Sequence, residues 1–299
     1  MKFITEFLLN LKHYGLEILP VLVLGFLLSG IFYELVPENI VKKYLIKKNY
    51  LTLFIIIIIG MILPICCIGS LPMAVGFRQK GVRLGNILAF LVATPATSVS
   101  SILITLKFFG VSFTLYLCLS VIILGFLIGL IGNFLDKTQQ SFVDDKLPPT
   151  ATEFLSKYIP KKTFKQKIFS SLRYAFIYLP KEIGGEILIG IVLASFISSL
   201  NIIKIFVENF LQGIYGYLFS VIFGVLMYIC STASVPLVYA LNKQGLSIGP
   251  SLVLLILGPL TSYATLLVVK KEFGLKVFSI YLVTIILFSL FSGIIFELI

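Results

Sequence analysis

The chain has 299 residues, 59% of them hydrophobic and 12% charged, with a mean hydropathy of +1.08. A soluble domain is about a quarter charged, and a soluble protein of this size cannot hide so much apolar surface. This excludes a soluble nucleic-acid binder, a disordered chain and a secreted disulfide scaffold, and the net charge of +11 reads instead as Lys and Arg crowding the cytoplasmic loops of a membrane protein.

A bilayer-spanning helix needs roughly 20 mostly apolar residues. Near the N-terminus, Glu6, Lys12, His13 and Glu17 interrupt any signal-peptide core and no small-residue cleavage site follows, so the first helix is expected to be retained. The charge-free stretches are 18–33, 49–77, 84–106, 108–135, 187–203, 209–242, 244–269 and 277–296, eight candidate spans. Two of them, 49–77 and 209–242, exceed one straight span and carry Gly and Pro in their second halves. In each, either the helix breaks or a short re-entrant piece follows. Such backbone survives at membrane depth only where protein or a polar cavity satisfies it.

The polar segment 136–181 separates spans four and five and carries a basic run from Lys157 to Arg173. Residues 153–178 read equally as an amphipathic helix on the membrane surface or as a solvated linker. The expected organisation is a first membrane repeat over 1–135, a cytoplasmic basic linker over 136–181 and a second repeat over 182–299. With eight full spans, fifteen Lys and Arg fall on the side of the N-terminus and nine on the other. That excess puts both termini and the central linker in the cytoplasm, against the four lysines at 42–48.

Sliding the chain by 164 residues superimposes its halves. Cys66 falls on Cys230, Pro72 on Pro236, Gly81 on Gly245, Gly85 on Gly249, Pro95 on Pro259, Thr97 on Thr261, Ser98 on Ser262, Lys107 on Lys271 and Gly110 on Gly274. Chance matches of Leu and Ile are cheap in such a chain; aligned Cys, Pro and Gly are not. The fold class expected is an all-α integral membrane protein of about eight transmembrane helices, in two four-span repeats with Gly/Pro-interrupted helices. Two-fold repeats of this kind are the plan of many secondary transporters, whose sites lie on discontinuous helices near the midplane.

The matched breaks carry the candidate chemistry. Pro95 and Pro259 lack an N–H and free the carbonyls of Leu91 and Leu255. Those carbonyls, with the hydroxyls of Thr94, Thr97, Ser98, Thr261 and Ser262, can coordinate a cation or a polar ligand; alternatively each hydroxyl bonds back to its own helix. Pro64 to Pro72 and Cys230 to Pro236 form the other matched pair. Thiolates of Cys66, Cys67 and Cys230 are soft ligands suited to Cu(I), Zn(II) or trivalent arsenic, flanked by Ser231, Thr232 and Ser234. The alternative for any cysteine is simple apolar packing, which suits Cys118. No charged side chain lies mid-span, so a midplane carboxylate relay is not visible; Glu182 and Glu186 are the candidates for coupling. No Walker motif, Ser/His/Asp set or zincin motif occurs, so neither an enzyme nor a cofactor is expected.

The motif Pro64-Ile-Cys66-Cys67-Ile-Gly69-Ser-Leu-Pro72, then Lys80-Gly81, Gly85 and Ala89-Phe90-Leu91-Val-Ala-Thr94-Pro95, resembles the first repeat of the YraQ/ArsP-type predicted bacterial permeases (the UPF0718, or DUF318, group). Cys230-Ser231-Thr232-Ala-Ser234-Val-Pro236, with Gln244-Gly245 and Gly258-Pro259-Leu-Thr261, resembles the second. The family's first motif is approximately P-x-C-S-C-G; here the second thiol has moved one residue, from the position of Ile68 to Cys67. The resemblance implies efflux of a thiol-seeking metal or metalloid across the cytoplasmic membrane, with Cys66 and Cys230 as substrate thiols. Its partners would be the lipid bilayer and a small solute, not nucleic acid. A non-transporting membrane subunit, or a passive channel for an uncharged or anionic solute, is the competing expectation.

Overall fold

A computed structural model of the protein describes residues 7–16, 19–20, 23–24, 50–63, 67–79, 82–136, 179–199, 207, 211–227 and 230–298. Most of the first expected span, the lysines at 42–48, Cys66 and the surface-helix candidate 153–178 lie outside these residues.

Every regular element among the described residues is helical. After an N-terminal helical stretch, 7–16, come α1 (Tyr50–Ile62), α2 (Cys67–Gln79), α3 (Leu84–Ala96), α4 (Val99–Asp136), α5 (Leu179–Ser199), α6 (Ile214–Leu226), α7 (Ser231–Lys243), α8 (Ile248–Leu260) and α9 (Tyr263–Leu298). The starts and ends of α1, α2 and α3 recur in α6, α7 and α8 at the spacing of 164. Val99–Asp136 and Thr265–Leu298 are long and apolar enough to cross a bilayer. The helices α1, α2, α3, α6, α7 and α8 have 13 residues each, about 20 Å at 1.5 Å per residue, which is too short to cross alone.

Glycine sets how the helices pack. A side chain added at Gly60 would meet Ala93 and Thr94, so α1 and α3 end at one level. Gly129 sits against Leu53 and Ala89, and Gly125 against Ile57. The later part of α4 therefore runs antiparallel to both α1 and α3. Small residues on facing helices let backbones approach closely where water provides no driving force.

The level of Gly85 against Gly129 and Asn133 has a geometric consequence. Followed along the axes, Ala96 comes level with Cys118, yet only three residues later the chain enters α4 at Val99. One continuous helix from Val99 to Asp136 would start about 30 Å too far away. The chain reverses at Gly110, whose φ of 84° and ψ of −179° lie in a region essentially reserved for glycine. Gly274 does the same in α9, with φ 86° and ψ 167°.

The return helices α2 and α7 form antiparallel hairpins with α3 and α8. At the first tip the Val82 N–H donates to Phe77 O (3.0 Å). At the second, Gly245 takes φ 109° and Asn242 Nδ2 donates to Leu246 O (2.8 Å). Arg78 Nη1 pairs with Asp136 Oδ1 at 3.0 Å, and Asp136 Oδ2 accepts the Leu84 N–H at 3.1 Å. These contacts tie the first tip to the end of α4. At the second, Tyr217 donates to Glu297 over Gly249.

Candidate functional site

The breaks between helices lie side by side. In the first half α1 stops at Ile62, with Leu63 N–H bonded to Ile59 O (2.9 Å), and α2 starts at Cys67. Next to that gap, α3 ends at Pro95-Ala96 and α4 starts after Thr97 and Ser98. The second half repeats this, with α6 ending before Met227 and α7 capped by Cys230, beside the α8–α9 gap at Thr261 and Ser262. Carbonyl ends of two helices and amide ends of two others thus meet at the breaks of each half. Thr94, Pro95, Thr97, Thr232, Ser234, Pro259, Thr261 and Ser262 are all buried.

The hydroxyls divide by task. Thr94 Oγ1 donates to Phe90 O (2.8 Å) and Thr97 Oγ1 to Ala93 O (2.9 Å), both back onto their own helix. Such bonds occupy the donor and leave acceptor lone pairs available. Ser98 Oγ accepts the Ser101 N–H at 3.2 Å, as an N-cap does. Thr261 Oγ1 lies 2.8 Å from Leu257 O and 3.1 Å from Gly224 O, so one hydroxyl joins the end of α8 to α6. Ser262 Oγ pairs with Thr265 Oγ1 at 2.8 Å. Around the cysteine, Cys230 Sγ donates to Thr232 Oγ1 at 3.4 Å, the Cys230 carbonyl accepts from Ser234 N–H (2.9 Å), and Ser234 Oγ donates to Ser231 O (3.0 Å). Cys230 and Cys118 are both half-buried, Cys118 within α4.

Cys66 lies outside the described residues. Cys67, Glu182 and Glu186 fall on helices, but their side chains lie outside the description. Among the described residues no three His, Cys, Asp or Glu side chains come together as a metal-holding group.

Three features were not singled out from the sequence. A cavity of about 10 Å³, lined by Gly224, Met227, Ser234, Leu237, Val238, Leu254 and Gly258, lies at the second break and has room for about one water. It exists because position 258 is glycine, with open space where a side chain would point. The matching residue in the first half is Thr94, whose buried side chain donates to Phe90 O. Tyr281, fully buried in α9, donates to Leu260 O at 3.3 Å and so pins the end of α8; a tyrosine inside an apolar span was the available signal. Met227 sits three residues before Cys230. With the exception of Met1, every methionine (Met61, Met73, Met227) falls within a few residues of a Cys-bearing break.

A model of the ArsP_1 family, described as "Predicted permease", matches residues 4–298. The chain belongs to this permease family. A UPF0718 protein of Methanocaldococcus jannaschii is 23% identical to it, with 91% of this chain and 89% of that one covered. A candidate two-component membrane permease complex subunit of Streptococcus mutans is 24% identical over 87% of this chain and 85% of its own. A Bacillus subtilis UPF0718 protein is 29% identical over 27% of each chain. No solved structure matches. Family membership with the apolar helices makes the protein a membrane protein of a permease family.

Proposed function

We propose that the protein is a secondary permease that exports a small thiol-seeking metal or metalloid species, holding it where the two pairs of helix breaks meet and releasing it as the two repeats rock. The reading rests above all on the matched breaks. Each half brings two interrupted helices to one level, buried and uncharged, with cysteine in the adjoining segment. The Leu91 and Leu255 carbonyls freed by proline and the acceptor lone pairs of the hydroxyls there replace part of a solute's hydration, and soft sulfur selects soft cations. Residues 1–135 and 182–299 act as the two repeats, with Cys66, Cys67 and Cys230 as substrate ligands. Ser231, Thr232, Ser234, Thr97 and Thr261 line the path, and Glu182 and Glu186 are candidates for coupling.

The test is uptake by everted membrane vesicles of Cu(I), Zn(II), arsenite or methylarsenite, with and without a proton gradient. One species is expected to accumulate, and replacing Cys66 and Cys230 together by Ser removes that uptake while the thermal transition of the purified protein stays within about 1 kcal/mol of the parent. Unchanged uptake by the double variant overturns thiol coordination. A second reading is supported by the name of the Streptococcus mutans relative: the chain works as one subunit of a two-component permease. In that case transport requires a second protein, which co-purifies with the chain from its native membrane.

A further inference from the structure

We infer that the two halves lie in the membrane upside down relative to each other, with six crossings and two re-entrant hairpins, and that both termini face away from the cytoplasm. This orientation stands whether or not the proposed substrate is right.

The inversion follows from contacts between the halves. Along α4, Phe113 packs on Phe296 (5.4 Å between rings), Tyr116 packs on Phe296 (4.6 Å) and donates to Ser292 O (3.0 Å), and Ser120 Oγ meets Ser292 Oγ (2.8 Å). As α4 advances, its partners on α9 recede, so the two helices are antiparallel. Each of them runs antiparallel to the short helices of its own half: Gly249 lies against Gly293 and Glu297 as Gly85 lies against Gly129 and Asn133. The short helices of the two halves therefore point in opposite directions.

A second set of contacts agrees. Phe108 and Phe109, beside the Gly110 reversal and far from Asp136, pack on Tyr239 near the second hairpin tip, with ring centroids 4.6 and 5.6 Å apart. At that tip Gln244 Nε2 donates to Ser198 O (3.2 Å) at the end of α5. Ser198 Oγ in turn meets Tyr14 OH (2.9 Å), and Ser199 Oγ accepts from Asn10 Nδ2 (3.1 Å). The N-terminal stretch, the end of α5, the Gly110 reversal, the second tip and the end of α9 share one end of the molecule. The first tip, Asp136, the start of α5 and the Gly274 reversal share the other. The apolar stretches 49–77 and 209–242 then enter from opposite faces and return to the face they came from.

Charge fixes which face is which. Among the described residues the Asp136 end carries Arg78, Arg83, Lys181, Lys270, Lys271 and Lys276, and the inferred topology assigns to the same face the lysines at 42–48, Lys80 and the basic residues from Lys137 to Arg173: nineteen of the 24 Lys and Arg. The other end has five, Lys2, Lys12, Lys107, Lys204 and Lys243. Eight full crossings give only fifteen against nine. The inverted arrangement absorbs the lysines at 42–48 that oppose the eight-span count. The positive-inside rule then makes the Asp136 end cytoplasmic.

Eight full spans put Arg83 with Lys243, and Lys107 with Lys271; inversion exchanges the partners. The test introduces one cysteine at a time, at Arg83, Lys107, Lys243 or Lys271, and treats intact cells with a membrane-impermeant maleimide, with the parent chain as background. Lys107→Cys and Lys243→Cys are expected to label in intact cells, and Arg83→Cys and Lys271→Cys only after permeabilisation. Labelling of Arg83→Cys and Lys243→Cys from the same side overturns the inversion. The opposite pattern overturns the assignment of faces. Reporters fused to the C-terminus of the unaltered chain supply a second reading: alkaline phosphatase is expected to be active and green fluorescent protein dark, and the reverse pair refutes the orientation of the termini.

Discussion

Replacing Gly85 by Ala tests the packing on which the first half depends. A methyl at Gly85 would enter the contact distance of the Gly129 carbonyl oxygen and lie 2.6 Å from Cγ of Asn133, while Gly132 leaves no slack because its own Cβ position is 2.7 Å from the Gly85 Cα. The obstruction is backbone, so no side-chain rotation relieves it. The helices α3 and α4 must part by about 1 Å, which forfeits up to about half of each atom pair's dispersion energy along the seam. Over tens of pairs worth about 0.1–0.2 kcal/mol each, the loss comes to about 3 kcal/mol, the upper range for overpacking. At about 2–4 °C per kcal/mol, the thermal transition in detergent is expected to fall by about 6–12 °C. Gly258→Ala is the control, because open space surrounds that position. The added methyl there gains up to about 1 kcal/mol of helix propensity, so the transition holds or rises slightly. A Gly85→Ala protein within about 1 °C of the parent, or a Gly258→Ala protein that falls as far as Gly85→Ala, refutes the reasoning.

Gly110→Ala and Gly274→Ala each force an L-residue to φ near +85°, and each is expected to lower stability by about 1–3 kcal/mol in the same thermal assay; a neutral result at either position means the reversal is made elsewhere. Thr261→Val keeps shape but removes the bonds to Leu257 O and Gly224 O, with an expected loss of about 1 kcal/mol. Thr261→Ser is expected to restore most of it, and equal stability of the Val and Ser variants refutes the bridge.

The helical, membrane-embedded class was legible from composition alone. The interruptions were legible in part: Pro95 and Pro259 lie at the ends of α3 and α8 and the Cys-bearing segments adjoin the starts of α2 and α7, but Pro72 and Pro236, expected within the breaks, lie inside helices. Hydropathy carries no information about whether an apolar stretch crosses or turns back. The stretch 49–77 has the same average hydropathy either way, and only the contacts of Gly60 with α3 and of Leu53 with Gly129 of α4 separate the two. The hydroxyls posed a similar difficulty. Thr97 and Thr261 align, yet only Thr261 reaches a carbonyl of a neighbouring helix among the bonds described, because that depends on where α6 lies. Gly258 was visible in its Gly-Pro motif, but its importance as a void depends on which neighbours surround it.

The unequal filling at Thr94 and Gly258 bears on energy as well as on shape. In a machine whose halves trade conformations, identical halves would leave the inward-open and outward-open forms equally populated, and every directional preference would have to come from an external gradient. Here the matched positions differ, a void beside Gly258 against the buried, hydrogen-bonded side chain of Thr94, so the exchange does not return the molecule to an equivalent state. A packing difference of about 1 kcal/mol between the two forms already sets a resting ratio of about five to one. In the proposed rocking mechanism, such a difference biases the protein toward one side of the membrane before any solute or ion binds.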